Sequence, residues 1–253
     1  MDRGQVGLSF DGKAIDGIKL VIFDKDGTIT DLYKYWSVIA GIRSNIICRE
    51  LGLDASFAPG ISQVMGLDLA NKRFRPEGPI GVKKRTDVLE VVVAFLASEG
   101  HGDCRAICEK AFAEADKEAD LRLSEMLEVI SGVREFVCKL DGRCLTAVAT
   151  ADNTARAKIV LETVGLPAFN LVAGGDMAKK SKPDPEIALI ILEKLGVRPE
   201  EAVIIGDAPA DLQLAANAGL KAGIGVATGM FSLEELKKQA YFAVGNLNEI
   251  TVL

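Results

Sequence analysis

The 253-residue sequence has little of what marks several classes of protein. It contains one histidine, His101, which we interpret as a loop residue, and five cysteines, an odd number without a paired framework. This cysteine content indicates a reducing compartment rather than a disulfide scaffold. The longest apolar run, residues 91–97, is too short to cross a bilayer. No apolar stretch of the kind that a signal peptide needs follows the first residues. We therefore expect a cytoplasmic protein that does not bind membranes.

Basic residues are also fewer than acidic ones. Lysine and arginine number 30 against 36 aspartates and glutamates, which gives a net charge of −6 and a pI near 5.1. Nucleic-acid binders need a basic surface to displace counterions from phosphates, so we predict no nucleic-acid partner. Hydrophobic residues make up 49% and charged residues 26%, as in ordinary globular proteins. A small charged substrate fits this composition best.

Strand and helix patterns alternate in two parts of the chain. Residues 18–23 form a near-continuous apolar run, which is typical of a parallel strand covered on both faces. Further strands are predicted at residues 145–149, 169–173 and 202–205, with helices between them. Such alternation predicts a parallel sheet with right-handed crossovers and helices on both faces. The predicted fold class is α/β, a doubly wound, Rossmann-like core.

No strand pattern interrupts residues 32–128. Helices are predicted after Asp31, over about 86–98 and over about 103–118, whereas residues 55–81, rich in proline and glycine, are predicted to form a loop. We therefore predict a smaller all-helical cap domain at residues 32–128, inserted into a core domain made of residues 1–31 and 129–253.

Polar residues follow the predicted core strands at the point where each strand ends. In an open parallel sheet, ligands bind outside the carboxyl ends of the strands. The candidate residues are Asp24, Asp26, Gly27 and Thr28 after the first strand, Thr150 after the second, Lys182 just before a helix, and Gly206, Asp207 and Asp211 after the strand at 202–205. We expect these clusters to converge on one edge of the sheet.

The convergence of four aspartates predicts a bound cation. Like charges about 4 Å apart repel by roughly 4 kcal/mol at an effective dielectric constant near 20. A cation offsets this repulsion, and an all-oxygen set of ligands suits Mg²⁺. A magnesium ion would also let an anionic phosphoryl group approach the acids.

From Ile18 to about Val226 the sequence resembles the haloacid dehalogenase superfamily of phosphohydrolases. The resemblance is carried by Asp-x-Asp-Gly-Thr at 24–28, a threonine that ends an apolar strand at 150, Lys182, and Gly-Asp-x-x-x-Asp at 206–211. It departs from the family pattern at Ala151, where many relatives have asparagine, and at Ala208, where serine or threonine is more frequent. These departures affect supporting hydrogen bonds rather than the activity.

The resemblance implies a role for each motif residue. Asp24 would attack phosphorus and form an aspartyl-phosphate, and Asp26 would act as general acid and base. Thr150 and Lys182 would bind the phosphoryl group. Magnesium would be held by Asp24, the backbone carbonyl of Asp26 and Asp207, with Asp211 binding directly or through water. Gly27 permits the turn that lets both acids face the phosphoryl group.

Other interpretations stay open. Asp24 and Asp26 could be turn residues, Asp207 a helix cap and Asp211 an exposed first-turn acid, while Asp152 is interpreted as the cap of the next helix. The glycines at 223, 225 and 229 have the wrong spacing for dinucleotide binding.

The expected function is Mg²⁺-dependent hydrolysis of a small phosphorylated metabolite, such as phosphoglycolate or a sugar phosphate. A phosphomutase of the β-phosphoglucomutase type is the alternative, and a non-catalytic phospho-acceptor domain is disfavoured by Asp26. Basic cap residues that could bind a second anionic group, none of them assigned as a site, are Arg43, Arg73, Arg75, Lys83, Lys84 and Arg85.

Overall fold

The computed structural model describes residues 4–75, 77–80, 83 and 85–253. The chain divides into two compact units, which we name the core unit, residues 1–31 with 129–253, and the cap unit, residues 32–128. Among the described residues, no helix combines the length and the apolar character that crossing a membrane requires.

A six-stranded parallel sheet forms the centre of the core unit. Its strands are β3 (Leu20–Phe23), β6 (Leu145–Ala149), β7 (Leu171–Ala173), β8 (Ala202–Gly206), β9 (Ala222–Val226) and β10 (Phe242–Val244). They lie in the order β10-β9-β8-β3-β6-β7. The central strand β3 pairs with β6 and β8, so that Phe23 lies opposite both Val148 and Ile205. The three strands therefore end at the same level, and the residues that follow them emerge at one edge of the sheet.

Helices cover both faces of this sheet. They are α6 (Val133–Leu140), α7 (Thr154–Thr163), α8 (Glu186–Leu195), α9 (Pro209–Ala218) and α10 (Leu233–Lys237). Side chains of β3 alternate between the faces, because Val21 and Phe23 pack in one hydrophobic cluster whereas Leu20 and Ile22 pack in another. All four are fully buried, as expected for a central parallel strand. The predicted doubly wound α/β core is confirmed.

A second, three-stranded antiparallel sheet was not predicted. It consists of β1 (Val6–Phe10), β2 (Lys13–Ile18) and β11 (Thr251–Val252), in the order β11-β1-β2. The strand predicted at 18–23 therefore begins only at Leu20, and Ile18 belongs to β2. Leu8 of β1 lies opposite Val252, so this sheet joins the two ends of the described chain.

The cap unit is helical, with one small addition. Its helices are α1 (Leu32–Leu51), α2 (Ala58–Met65), α3 (Arg85–Ser98), α4 (Arg105–Leu121) and α5 (Leu123–Met126). A hydrophobic cluster containing Ile47, Ile61, Leu96 and Phe112 forms its interior. Two strands of two residues, β4 (Leu67–Asp68) and β5 (Arg73–Phe74), pair antiparallel. The expectation that no strand interrupts the cap was wrong at this point.

The predicted loop at 55–81 was also wrong, since it contains helix α2. Pro59 lies in the first turn of that helix, where its missing N–H leaves no hydrogen bond unmade. Gly66 ends the helix with a left-handed φ of 116°. The proline and the glycine therefore mark the start and the end of a helix instead of interrupting one. Pro76, Gly81 and Val82 lie outside the described residues.

Candidate active site

The chain turns sharply where β3 ends. The backbone N–H of Asp24 still donates to the carbonyl of Ile205 (2.8 Å), which continues the pairing with β8. The N–H groups of Ile29 and Thr30 then both donate to the carbonyl of Lys25, at 2.8 and 3.0 Å. Within this turn Gly27 has a positive φ of 87°. The Asp-x-Asp-Gly-Thr segment is thus folded back over the edge of the sheet.

Lys182 forms ion pairs with two of the predicted acids. Its Nζ donates to Oδ1 of Asp24 (2.6 Å) and to Oδ1 of Asp211 (2.7 Å), and only 12% of its side chain is exposed. Asp24, Asp207 and Asp211 each offer a carboxylate oxygen, and the three oxygens lie within 4.8 Å of one another. The structure therefore brings together three of the four aspartates with the predicted lysine.

Asp211 is a buried member of this cluster rather than an exposed first-turn acid. It is 2% exposed, and its Oδ2 accepts a hydrogen bond from the backbone N–H of Ala208 (3.2 Å). Gly206 lies so close that an added Cβ would be 2.4 Å from the Cβ of Asp211. Because Ala208 contributes its backbone N–H, its departure from the family pattern removes no side chain that this contact needs.

Asp207 accepts hydrogen bonds from two residues and lies against Gly229, and neither Met230 nor Gly229 was predicted as a site residue. Its Oδ1 accepts from Thr28 Oγ1 (3.3 Å) and its Oδ2 from the N–H of Met230 (3.4 Å). At Gly229 an added Cβ would lie 1.7 Å from Asp207 Oδ2. The glycine-rich segment that has the wrong spacing for a dinucleotide therefore makes room for Asp207. Thr228 supports the same loop, because its hydroxyl donates to the carbonyl of Gly27 (2.7 Å).

Thr150 follows β6, the neighbour of β3 in the sheet. It is 2% exposed, and its Oγ1 accepts a hydrogen bond from the backbone N–H of Asp152 (3.1 Å). No described residue accepts a hydrogen bond from this hydroxyl, so its proton can be donated to a ligand. Asp152 does not cap the next helix, since Asn153 does so by accepting from the N–H of Ala155.

Asp26 lies outside the three-acid cluster. Its Oδ1 accepts from Lys25 Nζ (2.6 Å) and from Thr30 Oγ1 (3.3 Å), and 39% of its side chain is exposed. The expectation that four aspartates face one point is therefore wrong for the Asp26 carboxylate. The binding of metal through its backbone carbonyl stays a prediction.

Burial and mutual repulsion raise the pKa values of two acids in the cluster, Asp24 and Asp207. Burial raises the pKa of Asp24 to about 7, Lys182 opposes this shift, and Asp211 and Asp26 add to it. Burial, with Asp24 and Asp211, also raises the pKa of Asp207 well above its usual range. Burial alone would lower the pKa of Lys182, but its ion pairs with Asp24 and Asp211 raise it instead. The positive charge of one lysine thus does not offset the negative charge of three carboxylates.

These residues fit a hard divalent cation. Three converging carboxylates supply oxygen ligands, and their raised pKa values reflect negative charge that a cation would offset. Asp24, Asp207 and Asp211 are the residues whose carboxylates could hold Mg²⁺. The chemistry of the donor set therefore agrees with the predicted cofactor.

The arginines named as candidates in the cap unit pair with acids of the same unit. The contacts are Arg43 and Arg85 with Asp116 (3.0 and 2.8 Å), Arg73 with Asp68 (3.1 Å) and Arg75 with Glu77 (2.7 Å). Lys84 lies outside the described residues. We assign none of these residues to a binding site.

Comparisons with known proteins find related sequences. A family model described as haloacid dehalogenase-like hydrolase matches residues 18–219. A probable phosphatase IndB from Dickeya dadantii is 40% identical over 222 residues, covering 86% of this chain and 85% of that protein. A phosphoglycolate phosphatase from Rhodospirillum rubrum is 37% identical, covering 80% of this chain and 77% of that protein.

Solved structures show the same fold. A putative beta-phosphoglucomutase from Thermotoga maritima superposes with a TM-score of 0.66 at 24% identity, covering 92% of this chain and 96% of that one. A predicted phosphoglycolate phosphatase from Haemophilus somnus 129pt gives a TM-score of 0.63 at 18% identity, covering 91% and 95%.

Proposed function

This chain belongs to the haloacid dehalogenase-like hydrolases and is a phosphatase, and we propose that it hydrolyses a small phosphomonoester through a phosphorylated Asp24, with Mg²⁺ as cofactor. The observation that carries the proposal is the contact of Asp24 with Lys182 (2.6 Å) beside two further buried carboxylates at the sheet edge. A lysine held at the carboxylate can offset the charge of an incoming phosphoryl group.

The reaction proceeds in two steps. The Asp24 carboxylate attacks phosphorus while Asp26 gives a proton to the departing alcohol. Water then attacks the phosphorus of the aspartyl-phosphate, Asp26 takes a proton from that water, and phosphate and free Asp24 are released. Asp24, Asp207 and Asp211 would hold Mg²⁺, which would supply Lewis-acid stabilisation of the phosphoryl oxygens and offset the charge of the three acids.

Thr150 and Lys182 hold the phosphoryl group in both steps. The Thr150 hydroxyl donates to a phosphoryl oxygen, because its oxygen already accepts from the N–H of Asp152. Lys182 Nζ offsets charge on the phosphoryl group as the Asp24 carboxylate is consumed. Asp211 keeps Lys182 in place through its own contact of 2.7 Å.

We further propose phosphoglycolate or a sugar phosphate as the substrate. Support comes from curated relatives that are phosphoglycolate phosphatases. In the described part of the chain, which includes all five cysteines, none of them forms a disulfide and four are buried, which suits the cytoplasm. The net charge of −6 supports a small-molecule partner rather than a nucleic acid.

A phosphatase panel tests this proposal. Phosphoglycolate, sugar phosphates and 4-nitrophenyl phosphate are assayed for phosphate release with Mg²⁺, with a chelator, and with the Asp24→Asn variant. We expect turnover that both the chelator and the variant abolish. The exposed Asp16 gives a control, Asp16→Asn, with the same charge change and wild-type activity. Isomerisation of a sugar phosphate that depends on a bisphosphate, without net phosphate release, would point to a mutase instead.

A further inference from the structure

Lys25 is a buried lysine that lies between Asp24 and Asp26 in the sequence. It is 3% exposed, although lysine is rarely buried without a partner. Its Nζ donates to Oδ1 of Asp26 (2.6 Å) and lies 3.4 Å from Oδ2 of Asp152. The role proposed for Asp24 and Asp26 does not explain why a cation is placed here.

The contacts of Asp26 are unevenly divided between its two oxygens. Lys25 Nζ and Thr30 Oγ1 both donate to Oδ1. Within the described part of the chain, Oδ2 accepts no hydrogen bond, and 39% of the side chain is exposed. The hydroxyl of Thr30 has one proton and lies 3.3 Å from both Oδ1 and the carbonyl of Lys25, so Lys25 is the main donor to Oδ1. Its contact fixes the orientation of the carboxylate and leaves Oδ2 available to carry a proton.

Lys25 is itself held by Asp152, which follows strand β6. Asp152 Oδ2 faces Lys25, while Asp152 Oδ1 accepts from the N–H of Asn153 (2.8 Å). The N–H of Asp152 donates to Thr150 Oγ1 (3.1 Å). One continuous set of contacts therefore runs from the proposed phosphoryl-binding threonine through Asp152 and Lys25 to Asp26.

We propose that Lys25 is a positioning residue for proton transfer by Asp26, and that Asp152 in turn positions Lys25. This inference rests on the proposed function. The proton on Asp26 Oδ2 passes to the leaving-group oxygen as its bond to phosphorus breaks. In the second step Oδ2 takes a proton from the water that attacks the aspartyl-phosphate. A carboxylate that turns freely would miss this geometry, because misplacement by about 1 Å can cost on the order of 100-fold in rate.

Two matched substrates separate this role from a structural one. The leaving group of 4-nitrophenyl phosphate departs as a stable anion, whereas that of 4-nitrobenzyl phosphate is an alkoxide that must be protonated. The ratio kcat/KM reports the steps up to departure of the leaving group. For Lys25→Met we expect kcat/KM to fall about 100-fold for 4-nitrobenzyl phosphate, at the low end of what general acid catalysis contributes. For 4-nitrophenyl phosphate we expect a fall below about threefold, because no proton transfer is required.

Lys19→Met is the matched control, because Lys19 lies at the other end of β3 and forms an ion pair with Glu201 (2.8 Å). We expect it to leave the ratio between the two substrates unchanged. Asp152→Asn is a second variant, which keeps the side-chain volume and serves if Lys25→Met folds poorly. It should also lower kcat/KM selectively for 4-nitrobenzyl phosphate, by a smaller factor than Lys25→Met.

Equal loss on both substrates, or no loss on either, in variants that fold would overturn the role of Lys25. Those results leave the proposed function intact. Turnover that survives in Asp24→Asn would instead remove the proposed function itself, so the two failures are distinguishable.

Discussion

Replacing Gly229 with alanine tests how closely Asp207 is placed. An alanine Cβ would lie 1.7 Å from Asp207 Oδ2 and 2.4 Å from its Cγ. Since real Cβ contacts stay beyond 3.0 Å, the carboxylate or the loop must retreat by about 1.3 Å. Such a shift also breaks the hydrogen bonds that Asp207 accepts from Thr28 and from the N–H of Met230.

The expected loss follows from that displacement. Metal ligands tolerate deviations of only about 0.2 Å, and misplacement by about 1 Å costs on the order of 100-fold in rate. Gly229→Ala should therefore reduce kcat/KM by at least about 100-fold, or about 2.7 kcal/mol of transition-state stabilisation. The concentration of Mg²⁺ needed for half-maximal activity should rise as well.

Steady-state kinetics over a Mg²⁺ titration, with thermal unfolding as a check on folding, provide the assay. Gly41→Ala is the control, because no atom of the described residues beyond its chain neighbours and the surrounding helix backbone lies within 4 Å of the added Cβ, and alanine favours the helix that contains it. If folded Gly229→Ala keeps activity within threefold of wild type and the same Mg²⁺ requirement, then Asp207 does not act from the position described.

Three further predictions concern pH and stability. Because the pKa of Asp24 is raised from 3.8 to about 7, the metal-free folded protein holds a proton that the unfolded chain has lost, so the free energy of unfolding should fall as pH rises from about 4 to 7. Denaturation of the chelator-treated protein at several pH values measures this, and a flat profile would contradict it. Ion pairs lower the pKa of Glu201 from 4.5 to about 2, so its stabilisation is present above pH 4.5 and is lost as pH falls towards 2. Glu201→Gln should therefore destabilise the protein at pH 7 but not near pH 2, and equal destabilisation at both would refute the assignment. Asp116→Ala should cost about 1–3 kcal/mol, because it removes the carboxylate partner of the buried Arg43 while the 43% exposure of Asp116 lets water replace part of the contact, whereas Arg43→Met should cost less; denaturant titrations that rank the two variants in the opposite order would reject this reasoning.

The sequence predicted the position of the site because strand ends can be read from hydrophobic runs. The strands β3, β6 and β8 are short and buried, and their parallel register brings the following residues to one edge. Asp24 after β3 and Asp207 after β8 are therefore neighbours in the structure although they lie far apart along the chain.

Other features depend on contacts that no local pattern encodes. The burial of Lys25 follows from the turn after β3, which periodicity does not describe. The role of Gly229 follows from its approach to Asp207, 22 residues earlier in the chain. The three-stranded sheet could not be predicted because β1 pairs with β11 from the far end of the chain.

The central claim, that Asp24 is the nucleophile, is tested most directly by trapping the covalent intermediate. The enzyme is mixed with substrate and Mg²⁺, quenched in acid within a single turnover, and digested for mass spectrometry. We expect the mass of one phosphoryl group on the peptide that contains Asp24, and none in Asp24→Asn. Turnover with the phosphoryl group on another residue, or with wild-type rates in Asp24→Asn, would contradict it.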